Sequence, residues 1–324
     1  MEGPPVKPIA SRRVLRARPL VEDPLTRRLT ACNGALGTQT FMSPNASVEA
    51  TTVPPPPPFF TIVVPTKNSA QDLPRLLTSL RRQTWTDFEV VVVDGGSSDG
   101  TRELALSYSC RLLRGGKMAD SKNLGAKAAS GQVLLFLDSD MEAPPTLLAT
   151  CAQFIRNFPV LYLREEVVAD SLWAKARGFE KHACFRSKFY EAPRCMLRST
   201  FESLGGYDER FGNAVEDMEL EACILEQKVS AGWVEEPPIL HYEYGLGLVR
   251  YLAKRKGRSI ELLRSTHPAF WNEFASPPRR LALLLRQLLR EPTPRNGLYL
   301  GMVAFQRLLE YRARTGRTLE NEGV

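Results

Sequence analysis

The chain has no long hydrophobic run. No window approaches the roughly 17 apolar residues that a spanning helix needs, and the uncharged stretch Asn296 to Gln306 is too short. Cysteine and histidine are scarce, at six and three in 324 residues. Cys32, Cys110, Cys151, Cys184, Cys195 and Cys223 are scattered with no C-x-x-C pair, which excludes a metal-finger spacing and a dense disulfide framework. A reducing compartment holding structural thiols, the cytoplasm, is the simplest account. There is no internal repeat, so solenoid architectures are excluded as well.

What remains is an ordinary globular balance, 43% hydrophobic and 24% charged, with material for a sizeable core. The charge is unevenly spread. From Arg250 to Arg317 there are 15 Lys or Arg against 4 Glu, a local +11 within a chain of net +7, so the rest carries about −4. That asymmetry fits attraction of the C-terminal part to a polyanion, or simply a solvated helix surface. Residues 1–58 read as a disordered arm ending in the stiff run Pro54 to Pro58. An alternative is that translation starts at Met42.

From Phe59 the pattern changes. Phe59 to Val64 is an apolar, β-branched run stopped by Pro65, and Leu73, Leu76, Leu77 and Leu80 follow at helical spacing. Glu89 to Val93, Cys110 to Leu113 and Val133 to Leu137 read as further strands, with helices over Arg102 to Ser109 and Ala119 to Ala129 between them. Strands alternating with helices at this rhythm predict an α/β fold whose sheet is mainly parallel and covered on both faces. Ser199 and Glu202 have the spacing of a capping box for a short helix stopped by Gly205-Gly206. Beyond Tyr244 the chain turns helical, with Leu281, Leu284, Leu285, Leu288 and Leu289 in one stripe beside arginines.

In such sheets ligands sit beyond the carboxyl ends of the strands. Three ends supply polar residues there: Pro65-Thr66-Lys67-Asn68, Asp94 with its Gly-Gly-Ser-Ser turn, and Asp138-Ser139-Asp140. A carboxylate at the position of Asp94 can accept from a base edge or a ribose hydroxyl, although Asp-Gly-Gly is equally ordinary turn chemistry. Asp138-x-Asp140 is sharper. Alternate residues leaving a strand can place two hard oxygen ligands on one Mg²⁺ or Mn²⁺ with positions left for phosphate. The competing reading is an N-cap for a helix opened by Pro144 and Pro145.

Taken together, Val63 to Asn68, Val92 to Thr101, Asn123-Leu124-Gly125-Ala126, Leu135 to Asp140, Gly205 to Phe211 and Val215 to Leu220 resemble the family 2 glycosyltransferases of the GT-A fold. The resemblance spans about Phe59 to His241. It implies a catalytic domain over 59–244 and a transfer that inverts the anomeric centre, from a nucleotide-diphosphate sugar (a UDP- or GDP-sugar first) to a glycan or lipid-linked acceptor, as in cell-envelope polysaccharide synthesis. By position it implies that Pro65, Thr66, Asn68 and Asp94 bind the nucleoside. Asp138, Ser139 and Asp140 would lie at the metal-bound diphosphate, with Asp138, Asp140 and His241 as ligands of Mn²⁺ or Mg²⁺. Lys122 and Asn123 would face the donor sugar or phosphates. Asp217 would be the general base on an acceptor hydroxyl. Taken singly, Asp217 in a first helical turn would merely complement the helix dipole.

Residues 245–324 form the third expected region, basic, helical and amphipathic. It suits attachment to the cytoplasmic face of an anionic membrane, or packing on the catalytic domain. The Gln-x-x-Arg-Trp motif of processive synthases is missing, which points to single addition. Three rivals stand beside this reading: a nucleotidyltransferase, a degenerate binding module and a polyprenyl-phosphate glycosyltransferase. The first would carry a Gly-rich loop where Pro65 to Asn68 stands. Retention of Asp138, Asp140 and Asp217 argues against the second. An acceptor phosphate would scarcely need Asp217 as a base, which weighs against the third. Nucleic acid is the weakest partner, since the basic excess has no interleaved aromatic platform.

Overall fold

The first strand, β1 (Phe60–Thr66), is buried along all seven residues and forms the spine of the sheet. The computed structural model describes residues 56–185, 192–211, 215–245, 258–272 and 277–315. The expected arm therefore falls almost wholly outside the described residues, as do 246–257 of the C-terminal region. β1 pairs in parallel with β2 (Phe88–Asp94) on one side and β4 (Val133–Phe136) on the other. Beyond β2 lies β3 (Arg111–Arg114), also parallel. The remaining strands are β5 (Met141–Glu142), β6 (Val160–Val168), β7 (Cys195–Leu197) and β8 (Ala231–Tyr242). The sheet runs β3-β2-β1-β4-β7-β6-β8-β5, with β7 antiparallel to both neighbours and β5 antiparallel to β8. It is the mixed, mainly parallel sheet the sequence pattern predicts.

Both faces are covered because successive β1 side chains enter opposite cores. Phe60, Ile62 and Val64 join the core under α1 (Leu73–Arg81) and α4 (Leu147–Phe154). Val63 joins Val91, Val93 and Phe136 on the other face, under α3 (Met118–Ala128). Each such side chain contributes about 1.5–3 kcal/mol relative to exposure. At Gly125 the seat of α3 on β1 is so close that a Cβ would meet Val63 Cγ1 at 2.3 Å. α2 (Thr101–Ser107) follows the β2 turn, α5 (Leu172–Cys184) follows β6, and α6 (Arg198–Ser203) and α7 (Glu216–Glu226) lie between β7 and β8.

One expectation is corrected, the capping box. Ser199 and Glu202 both lie inside α6, whose N-cap position falls on Leu197 with no side-chain cap; Glu202 instead pairs with Arg198 at 3.7 Å. The leucine stripe lies on α10 (Pro277–Arg290), reached through α8 (Arg258–Thr266) and α9 (Pro268–Phe270) and followed by α11 (Pro294–Thr315). Its leucines divide between two surfaces. Leu284 and Gln287 turn inward, while Leu281, Leu285 and Leu289 are 47%, 44% and 81% exposed. Leu284 packs with Ala176 and Phe179 of α5 and with Tyr299 and Val303 of α11. No helix among the described residues is long and apolar enough to cross a membrane.

Candidate active site at the strand ends

The β1 and β2 ends are tied together by their own motif residues. Thr66 faces Asp94 in register, and the Gly95 N–H donates to the Thr66 carbonyl at 2.8 Å. Asp94, only 2% exposed, accepts from the N–H groups of Gly96 and Ser97 at 3.2 and 3.1 Å and from the Ser97 hydroxyl. The Asn68 backbone is left-handed at φ 51°, a conformation Asn tolerates. It lets the amide oxygen accept from the Ser98 N–H at 3.0 Å while its own N–H donates to Ser97 Oγ. Ser69 and Ala70 then donate to Thr101 Oγ1 and Asp99 Oδ2. Asn68, Asp94, Ser97, Asp99 and Thr101 thus tie the two loops to each other. Thr66 Oγ1 is buried without a protein partner, a donor or acceptor held open beside Asp94.

Asp138 and Asp140 leave β4 on a short turn before β5. The helix beyond Pro144 and Pro145 is α4, whose N-cap position is Thr146 with no side-chain cap, so neither aspartate is an N-cap. β8 delivers His241 to the same place, because His241 pairs with Met141 across the β5–β8 ladder. Asp138, Asp140 and His241 offer ligand atoms all within 4.8 Å of one another, with His241 Nε2 at 3.4 Å from Asp140 Oδ1. Two carboxylates and one imidazole form a donor set suited to Mn²⁺ or Mg²⁺, and the residues fit the implied ion. Ser139 donates to Ser69 Oγ at 2.9 Å and joins this turn to the β1 loop.

Behind the triad lies a network with no sequence motif. Glu165 on β6 accepts from Lys181 at 2.6 Å and from Arg194, and lies 2.8 Å from His241 Nδ1. Lys181 Nζ lies 3.2 Å from the same nitrogen; with Nδ1 donating to Glu165, Nε2 would be free for a metal on the Asp140 side, the usual outer-shell arrangement of a ligating histidine. Burial would raise Glu165, but Arg194 and Lys181 hold it well below the carboxylate range. Burial likewise opposes ionisation of Asp138, and Arg194, donating to it at 2.9 Å, overrides this and brings it to about 2. Burial and Lys181 push His241 down, while the carboxylates of Asp140 and Glu165 carry it back above its ordinary value.

Lys122 does not point outward as a donor contact requires, whereas Asn123 lines an open cleft. Lys122 is 2% exposed and bridges Glu216 at 3.2 Å and Asp217 at 2.7 Å, its ammonium also 4.7 Å from the Tyr207 ring centroid. Burial depresses Lys122, yet Asp217 and its neighbours lift it well above the ordinary lysine value, so it stays charged. Burial raises Glu216 in turn. The Asn123 amide is taken up by the Tyr207 backbone, donating to its carbonyl at 2.8 Å and accepting from its N–H at 2.9 Å. These two residues of α3 therefore position the Gly206–Tyr207 turn and the first turn of α7. Asp217, 24% exposed, keeps an oxygen accessible there. An open cleft of about 340 Å³ adjoins them, lined by Arg114, Gly116, Asp120, Asn123, Lys127 and Glu209.

Residues 61–195 match the sequence model of glycosyl transferase family 2. A PGL/p-HBAD biosynthesis glycosyltransferase of Mycobacterium bovis is 32% identical over 170 residues, covering 46% of this chain and 63% of that one. The validoxylamine A glucosyltransferase of Streptomyces hygroscopicus subsp. jinggangensis is 44% identical over 94 residues, 26% of this chain and 22% of that one. Among solved structures, S. aureus TarS 1–349 in complex with UDP-GlcNAc aligns with a TM-score of 0.49 at 20% identity, over 72% of this chain and 73% of that one. The chain spans less than two thirds of the length of these two curated relatives.

Proposed function

We propose, since residues 61–195 match glycosyl transferase family 2, that the protein moves a sugar from a nucleotide-diphosphate donor to an acceptor hydroxyl with inversion. The observation that carries this reading is the convergence of Asp138, Asp140 and His241 on one point, at the strand ends where Thr66 and Asp94 also lie in register. Thr66 Oγ1, Asn68 and Asp94 hold the nucleoside, with the carboxylate of Asp94 retaining lone pairs beyond those its turn uses. Asp138, Asp140 and His241 hold Mn²⁺ or Mg²⁺, which when bound neutralises charge developing on the leaving diphosphate. Asp217 takes the proton of the acceptor hydroxyl, and Lys122 fixes the carboxylate for that task. Under this reading the catalytic unit is 59–244 and the C-terminal region, 245–324, serves the acceptor side.

The test is a thermal-shift panel of UDP-, GDP-, CDP- and dTDP-sugars on the full chain, each with Mn²⁺ and with chelator. The reading predicts stabilisation by one nucleotide class, about 2.7 kcal/mol at a hundred times its Kd, abolished by chelation. A folded chain that none of them stabilises overturns it.

The exposed Leu281, Leu285 and Leu289 recur every four residues along α10, beside exposed Arg286 and Arg290. An apolar strip with basic neighbours matches an anionic bilayer surface, the site of a lipid-linked acceptor. The chain should sediment with phosphatidylglycerol vesicles at low salt and lose most of that binding when all three leucines become Ser. Unchanged sedimentation of that variant would contradict this placement.

A further inference from the structure

A second cluster lies on α7, away from the Asp138 triad. Glu219 and Cys223 stand four residues apart on one helical face, and His267 reaches them from the junction of α8 and α9. Ligand atoms of the three lie within 4.8 Å of one another. Cys223 Sγ is 3.1 Å from Glu219 Oε1, and His267 Nε2 is 3.7 Å from the same oxygen. Bonds of about 2.0–2.3 Å to a tetrahedral zinc ion would separate its ligands by roughly 3.4–3.7 Å, so small side-chain adjustments close the shell.

Two features separate this cluster from a chance grouping. Glu219 is 6% exposed, yet its Oε2 is buried with no hydrogen-bond partner. A buried carboxylate oxygen left unsatisfied costs about 1–3 kcal/mol, and a cation is the partner that removes the cost. The second feature is Glu226, whose carboxylate lies 3.0 Å from His267 Nδ1. A carboxylate on Nδ1 fixes the tautomer with Nε2 free, which is how ligating histidines are oriented.

We propose that Glu219, Cys223 and His267 form a structural zinc site, with Glu226 orienting His267 and a water completing the shell. Thiolate, imidazole and carboxylate together favour a borderline-soft dication over Mg²⁺ or Ca²⁺. Binding displaces the thiol proton to solvent and leaves the metal's oxidation state unchanged. In the metal-free chain burial and Glu219 hold the thiol up at about 12, and a dication reverses that balance. The site fastens α8 and α9, which bring Leu263 and Phe270 into a core with Val215 and Ala222, onto the helix that carries Asp217 in its first turn. The inference rests on none of the transferase chemistry.

Cobalt provides the test. The full chain, stripped with chelator, is titrated with Co²⁺ in wild type, in Cys223→Ser, in Glu226→Gln and in an Asp138→Asn/Asp140→Asn double variant. We expect a thiolate-to-cobalt charge-transfer band in wild type that Zn²⁺ abolishes and that the double variant retains. Cys223→Ser should lose the band, and Glu226→Gln should weaken cobalt affinity about 10–100-fold. Cys223→Ser should still give the donor-dependent thermal shift, so failure of this site and failure of the transferase reading are distinguishable. A folded wild type with no band, or a band that survives Cys223→Ser, overturns the proposal.

Discussion

Asp140→Asn should lower sugar transfer by about three orders of magnitude while leaving the unfolding midpoint nearly unchanged. Loss of one metal-ligating carboxylate removes several kcal/mol of transition-state stabilisation, and about 4 kcal/mol is a thousandfold in rate. The fold has little to lose. The Asp140 side chain is 38% exposed, and its ion-pair contact is with His241 at 3.4 Å. Such a substitution falls within about 0.5 kcal/mol of wild-type stability. Asp138→Asn would be the poorer test, because Asp138 balances the buried Arg194. Steady-state turnover and calorimetry on the same preparation decide the matter. Near-normal turnover removes the metal assignment.

Asp217→Asn should lower kcat by about 10²–10⁴ with donor affinity intact, the range a positioned general base supplies. The Asn oxygen can still accept from Lys122, and Glu216 remains to balance the ammonium, so α7 should stay seated. In the wild type the Lys122 ammonium, 2.7 Å away, holds the Asp217 side chain in place. Titration of the variant with the preferred donor separates two roles. Unchanged kcat with weakened donor binding would make Asp217 a binding residue and leave the reaction without its base.

The parts legible in sequence are those where one strand end carries its own chemistry. β1, β2 and β4 are continuous apolar runs, and their terminal residues Thr66, Asp94 and Asp138 had to fall at one edge once the strands were parallel and adjacent. His241 was reachable only through resemblance, since its position depends on β5, a two-residue strand with no pattern of its own. Glu165, Lys181 and Arg194 were not legible at all. They converge from β6, α5 and the approach to β7, and no local spacing connects residues whose meeting depends on antiparallel insertion of β7 between β4 and β6. Lys122 misled in the opposite way. The resemblance set it toward the donor, whereas the side chain is buried against Glu216 and Asp217. The α10 stripe divides between two surfaces, Leu284 inward and Leu281, Leu285 and Leu289 outward, a split the spacing alone does not decide.

The central claim is that Asp138, Asp140 and His241 support transfer from a nucleotide sugar. The most direct measurement is release of nucleoside diphosphate from the donor that the thermal panel selects, followed with Mn²⁺, with chelator, and after Mn²⁺ is restored. Release should stop with chelator, return with the metal, and be absent in Asp140→Asn. Release that continues unchanged in chelator, or in Asp140→Asn, would contradict it.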